Sequence, residues 1–155
     1  MSRERRYWDS DCFLGWLHAE PDKVDGCRAV LDAAEAGQVL IVTLALTIAE
    51  VLAMRGRKPV SENVRDAVKA FFRRDYIAIE NVSRRIAESA RDFVWDYGVD
   101  PKNALHVATA VASKVDQFNT FDVKLLRKSS VIGSPPLLIQ KPFMRQGTLP
   151  FGGNP

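Results

Sequence analysis

Residues 38–43 carry Val39-Leu40-Ile41-Val42, an apolar run that no polar side chain interrupts. A strand with one wet face alternates apolar and polar residues. A strand without alternation is covered on both faces, the usual condition in a parallel sheet. Parallel strands need crossover connections, normally helical, and those helices lie on the sheet faces. The run therefore predicts an α/β chain with helices above and below a mainly parallel sheet. The opening stretch agrees with this. Arg5-Arg6-Tyr7-Trp8-Asp9 is a short apolar strand signal opened by two arginines and closed by a carboxylate, with Asp11 two residues on.

The rest of the chain alternates accordingly. Phe13, Leu14, Trp16 and Leu17 predict a short helix over 11–18, and Pro21 starts a second one that Gly37 stops. Residues 44–54 read as a helix ending at Arg55-Gly56, with Glu50 as its one acidic residue. Ser61 is a candidate N-cap for the helix bearing Val64, Val68, Phe71 and Phe72, and Tyr76-Ile77-Ala78-Ile79 is a third strand. Ser83 caps the next helix, which Gly98 closes. A residue before proline avoids the helical region, so Asp100 reads as an N-cap and Pro101 as the first helical position of a further helix. Short strands follow at 117–120 and 137–139, with a basic turn of helix from Lys124 to Lys128 between them. The predicted order is β-αα-β-αα-β-αα-β-α-β, an α/β sandwich of three layers around four or five strands.

A length of 155 residues suits one domain with its own core. At 46% hydrophobic and 26% charged residues the composition is that of a soluble globular chain. No apolar run approaches the roughly 20 residues that span a bilayer. The polar start Met1-Ser2-Arg3-Glu4 is unlike a signal peptide, so a cytoplasmic location and no membrane contact are expected. Cys12 and Cys27 are the only cysteines, both in helical patterns without CxxC spacing, which argues against a disulfide or a zinc site. A net charge of +3 and a pI near 9.0 permit a nucleic-acid partner.

Four polar positions recur after strands or on helices facing strand ends: Asp9, Glu50, Asn103 and Asp122, with Asp11 nearby. Two like charges about 4 Å apart repel by roughly 4 kcal/mol at an effective dielectric near 20, so such a cluster calls for a cation. Oxygen ligands select a hard ion, Mg²⁺ or Mn²⁺, which also takes phosphate oxygens. That chemistry suits phosphodiester hydrolysis. Arg55, Arg57 and Lys58 follow Glu50, and Lys124, Arg127 and Lys128 follow Asp122, a basic rim suited to a nucleic-acid backbone. Thr120 and Ser10 are candidates for holding the carboxylates by hydrogen bonds. His106, one turn after Asn103, reads as a satisfied half-buried histidine and Asp100 as a cap. Arg5 and Arg6 are candidate phosphate or partner contacts.

At these residues the sequence resembles the PIN-domain nucleases, most closely the VapC-like toxins of toxin–antitoxin pairs. The matching stretches are Tyr7-Trp8-Asp9-Ser10-Asp11, Thr47-Ile48-Ala49-Glu50-Val51-Leu52, Asn103-Ala104-Leu105-His106-Val107-Ala108-Thr109-Ala110 and Asn119-Thr120-Phe121-Asp122, in the family's order. The resemblance implies a PIN fold over residues 1–140, divalent-metal-dependent endoribonuclease activity on RNA, a homodimer, and an antitoxin that blocks the site. It also implies Asp9, Glu50, Asp122 and Asn103 as metal ligands. The third stretch departs from the family, which has Asp where this chain has Asn103. Asn keeps an oxygen ligand but loses a charge and cannot act as a base. Asp11 can restore the missing charge. The alternative is a weakened or inactive PIN module that binds RNA or a protein partner.

Residues 141–155 hold three prolines and three glycines and read as a flexible tail. Within it, the spacing of Gln146, Leu149 and Phe151 resembles the short peptides that dock on the bacterial sliding clamp. Alternatively, Leu149 and Phe151 pack back on the domain or on a dimer mate.

Overall fold

The computed structural model describes residues 2–51 and 61–145. In chain order the elements are β1 (Glu4–Trp8), α1 (Ser10–Leu17), α2 (Val24–Glu35), β2 (Val39–Leu44), α3 (Ala45–Glu50) and α4 (Glu62–Phe71). They continue with β3 (Ile77–Glu80), α5 (Arg84–Tyr97), α6 (Pro101–Ala112), β4 (Gln117–Asn119), α7 (Val123–Leu126) and β5 (Ile139–Gln140). Every strand pair is parallel, and the spatial order is β3-β2-β1-β4-β5. This is the α/β sandwich expected from the alternation of elements.

The apolar run in β2 explains the layering. Val39 and Ile41 enter one core with Trp8, Phe13, Val30, Phe71 and Phe72, while Val42 and Leu44 enter the other with Tyr7, Val107 and Phe118. Successive side chains of a strand point to opposite faces, so Tyr7 and Trp8 also divide between the two cores. Both faces of β2 meet an apolar core, so Val39–Val42 has no room for alternation.

The strand order sets the position of the site. From β1 the chain steps outward through β2 to β3, then returns to the far side of β1 to form β4 and β5. The reversal opens a crevice at the carboxyl ends of β1 and β4, where open α/β sheets bind ligands. Local signals hold the flanking helices in place. Ser83 Oγ accepts from Ile86 N at 3.1 Å, Asp100 Oδ1 accepts from Asn103 N at 3.1 Å, and Gly98 closes α5 at φ 66°. A left-handed residue there favours glycine.

Some boundaries differ from the sequence reading. Leu44 belongs to β2, paired in register with Glu80, and α3 stops at Glu50 because Val51 turns extended and buries its side chain. Leu137 is used in a turn, donating to Ile132 O and accepting from Ser130 N, so β5 begins at Ile139. Arg5 and Arg6 are structural. The Arg5 guanidinium donates to Ser113 O and its backbone N–H donates to Asp116, while Arg6 is buried against Glu4 and the carbonyl of Phe143. They lie near the start of β1 and Asp9 follows its last residue, Trp8, and a strand advances about 3.3 Å per residue, which keeps both arginines away from the crevice.

Cys12 and Cys27 are buried free thiols. Residues 141–145 lie on the domain: Pro142 is buried with its carbonyl against Gly26, and Met144 packs on the core beneath β1. Arg55, Arg57 and Lys58, together with Gln146, Leu149 and Phe151, lie outside the described residues. Among the described residues no helix is long and apolar enough to cross a membrane.

Candidate functional site

A cavity of about 260 Å³ opens at the crevice, and Asp9, Glu50, Asn103 and Asp122 all line it. Asp11 and Ser10 share it, as do Asp100, Lys102 and His106. Five elements or their ends supply these groups: Asp9 from the end of β1, Ser10 and Asp11 from α1, Glu50 from α3, residues 100–106 from α6, and Asp122 from the turn after β4.

Asp9 is buried at the N-cap of α1, where Oδ1 accepts from Cys12 N at 3.4 Å. Its Oδ2 accepts from the Thr120 hydroxyl at 2.5 Å. Burial, with the neighbouring Asp11 charge, pushes the Asp9 carboxyl up to about 7 against the help of Thr120 and His106. Burial likewise raises Asp11, with Lys23 opposing and Asp122 and Glu50 reinforcing the shift. Burial is the larger cause in both, so these two carboxyls hold their protons more tightly than exposed aspartates do.

Glu50 has the opposite environment. Its Oε1 lies 2.9 Å from His106 Nε2, and its Oε2 accepts from Ser10 Oγ at 3.0 Å and from Lys102 Nζ at 2.9 Å. Burial by itself would raise Glu50, but the hydrogen bonds from His106, Lys102 and Ser10 favour the carboxylate and take it down to about 2. Lys102 is a participant that the sequence reading missed. The available signal was its place four residues before His106 on α6, a spacing that puts both on one helix face. His106 is hydrogen-bonded as expected but fully buried where a half-buried position was expected, and one of its partners is Glu50.

Asn103 presents nitrogen to its neighbours: Nδ2 donates to Asp100 Oδ2 at 2.8 Å and to Asp122 Oδ2 at 3.4 Å. Asp122 Oδ1 caps α7, accepting from Lys124 N at 2.8 Å and Leu125 N at 3.2 Å, and Thr120 Oγ accepts from Asp122 N at 3.0 Å. Asp100 and Asn103 also border a smaller cleft lined by Lys124 and Lys128. Arg127 is exposed and lines neither cavity.

A family model described as the PIN domain matches residues 6–130, more than half of the chain and a span that includes all four expected positions. The chain belongs to the PIN domain family. A toxin–antitoxin complex from Klebsiella pneumoniae shares the PIN fold at a TM-score of 0.60, with 16% identity over 86% of this chain and 99% of that one. VapC20 of Mycobacterium tuberculosis, a toxin that cleaves the sarcin-ricin loop, aligns at a TM-score of 0.59 with 13% identity, covering 76% of this chain and 90% of its own. VapBC2 of Rickettsia felis, bound to a DNA fragment from its promoter, aligns at 0.61 with 15% identity, covering 88% and 97%. At these identities the likeness is one of fold. No curated protein sequence matches the chain.

PIN nucleases generally use divalent metals, and the donor chemistry here fits one. Carboxylate and amide oxygens surround one cavity, the preference of a hard ion. The side chains are not drawn together as a ligand set: among the described residues no three His, Cys, Asp or Glu side chains converge as metal ligands would. Lys102 engages Glu50, and Asn103 turns its nitrogen toward Asp122.

Proposed function

We propose that this chain is a divalent-metal-dependent endoribonuclease of the VapC toxin type, acting on RNA in the cytoplasm as a homodimer and neutralised by an antitoxin protein. The observation that carries this reading is the meeting of Asp9, Glu50, Asn103 and Asp122 in one oxygen-lined cavity at the switch crevice of a PIN fold. Solved toxin–antitoxin complexes of the same fold support an antitoxin partner.

In this reading Mg²⁺ or Mn²⁺ is held by Asp9, Glu50 and Asp122 with the amide oxygen of Asn103, and Asp11 adds charge to the set. When bound, such an ion neutralises the phosphate and lowers the pKa of a water. The chain's own residues do the rest. Thr120 and Ser10 orient Asp9 and Glu50 through their hydroxyls. Lys124 and Lys128, beside Asp100 and Asn103, offer cations to the RNA backbone, with Arg127 on the outer rim.

The test is cleavage of an RNA substrate titrated with Mg²⁺ and Mn²⁺, with Asp9→Asn beside the wild type. Metal-dependent cleavage that Asp9→Asn abolishes is expected; equal cleavage by both proteins would rule the assignment out.

The contacts of Asn103 favour one second reading, a PIN module that binds RNA or a protein without cutting. Its amide nitrogen already occupies the space between Asp100 and Asp122. Asn103→Asp separates the two readings: cleavage appearing only in that variant identifies the natural chain as a binding module.

A further inference from the structure

His106 is 1% exposed, and both of its ring nitrogens are engaged. Nδ1 lies 2.6 Å from the Tyr7 hydroxyl and Nε2 lies 2.9 Å from Glu50 Oε1. Tyr7 is fully buried in the middle of the sheet, with its ring stacked on Phe118 at 4.8 Å and edge-on to His106 at 5.7 Å. The three groups come from β1, α3 and α6, and no part of the metal reading assigns a role to Tyr7 or His106.

The direction of the hydrogen bonds follows from the chemistry of the groups. A carboxylate only accepts, so a bond between His106 Nε2 and Glu50 requires the proton on Nε2. A phenol keeps its proton at neutral pH, since its ordinary pKa is about 10, and it can donate to an unprotonated nitrogen. A neutral imidazole carries one N–H, and the partner of one nitrogen decides the state of the other. A phenol donating to Nδ1 thus leaves the N–H on Nε2, aimed at Glu50.

We propose that Tyr7 and His106 are positioning residues for Glu50: the Tyr7 hydroxyl fixes the Nε2–H tautomer of His106, and that N–H fixes the orientation of the Glu50 carboxylate in the cavity. The proposal rests on the reading of Glu50 as a metal ligand. Lys102 and Ser10 hold Oε2, but Lys102 is 61% exposed on a long stem and Ser10 is half-buried. His106 is the rigid donor, backed by a phenol that the core cannot release. Partners that orient a ligating carboxylate typically influence metal affinity by 10- to 100-fold, roughly, when removed.

The test uses the full chain at pH 8 and two readouts. Nitrogen-15 spectra of the imidazoles report the tautomer without any metal, and Mn²⁺ titration followed by electron paramagnetic resonance reports affinity. The wild type is expected to show His106 as the Nε2–H tautomer. Tyr7→Phe, which keeps the ring and its stacking, is expected to mix the tautomers and weaken Mn²⁺ binding about tenfold. His106→Leu is expected to weaken binding at least as much, and His106→Gln, whose amide can donate toward Glu50, to restore most of it. An Nδ1–H tautomer in the wild type, or wild-type Mn²⁺ affinity in Tyr7→Phe, overturns the proposal. If the wild type binds no Mn²⁺ at all, the metal reading itself fails, and with it the role for Glu50. An Nδ1–H spectrum beside normal Mn²⁺ binding removes the relay alone.

Discussion

The Thr120 hydroxyl donates to Asp9 Oδ2 at 2.5 Å, tying the carboxyl end of β4 to that of β1 across the switch crevice. The same oxygen, Thr120 Oγ, accepts from Asp122 N, so one side chain orients two candidate ligands. Because Asp9 is buried, a lost donor there cannot be replaced by bulk water at no cost.

Thr120→Val keeps the shape of the side chain and removes the hydroxyl. Leaving a buried acceptor unpaired costs about 1–3 kcal/mol. Thermal or urea unfolding is expected to show a loss of that size, with Thr120→Ser close to wild type. A Thr120→Val protein as stable as wild type would mean that Asp9 finds another partner.

Asp9 makes stability depend on pH. Its folded value is raised from 3.8 to about 7, so between those values the native state holds a proton that the unfolded state has lost. Stability therefore falls as pH rises through that window, and the cost is complete above about 7. Urea unfolding at several pH values between 4 and 8 is expected to show this downward slope in metal-free protein, and Asp9→Asn to flatten it. Mn²⁺ is expected to release protons on binding near pH 6, seen by calorimetry in two buffers of different ionisation enthalpy.

Glu50 has the opposite sign. Its value is lowered from 4.5 to about 2, so its contribution is present above 4.5 and lost as pH falls toward 2. Lys102 supplies part of that shift and holds the oxygen that a metal would use. Lys102→Met is expected to tighten Mn²⁺ binding by about two- to fivefold, the range of an ion pair worth 1 kcal/mol or less because its lysine end is exposed to solvent. Weaker binding in this variant would show that the ammonium helps the ion instead of competing with it.

Gly26 allows the chain after β5 to close over α2. A Cβ there would stand 2.3 Å from the carbonyl oxygen of Pro142, which is backbone and cannot rotate away as a side-chain tip can. Gly26→Ala is expected to destabilise the domain by about 1–3 kcal/mol, the usual cost of overpacking. Limited proteolysis is expected to cut earlier within 141–145 in that variant.

Much of this architecture was legible in local patterns. The uninterrupted run at Val39–Val42 required a sheet covered on both faces, and Ser83, Gly98 and Asp100-Pro101 marked helix ends by backbone chemistry that depends only on near neighbours. Asp9, Glu50, Asn103 and Asp122 stood out because acidic and amide residues at strand ends or in apolar helices need a reason to be there. Arg5 and Arg6 were not interpretable in the same way, since nothing local shows that one guanidinium would reach the carbonyl of Ser113 and the other that of Phe143. The end of α3 was similarly hidden, because Val51 turns to pack in a core that other segments build.

Periodicity and capping act over a few residues, so the amino-acid order alone determined the α/β class, the element order and the candidate carboxylates. Which oxygen meets which donor depends on the strand order β3-β2-β1-β4-β5, which brings Thr120 to Asp9 and lets α6 carry Lys102 and His106 to Glu50. Only the tertiary structure could decide that burial raises the Asp9 carboxyl while hydrogen bonds lower that of Glu50: the difference lies in solvent exclusion and in donors brought from distant parts of the chain.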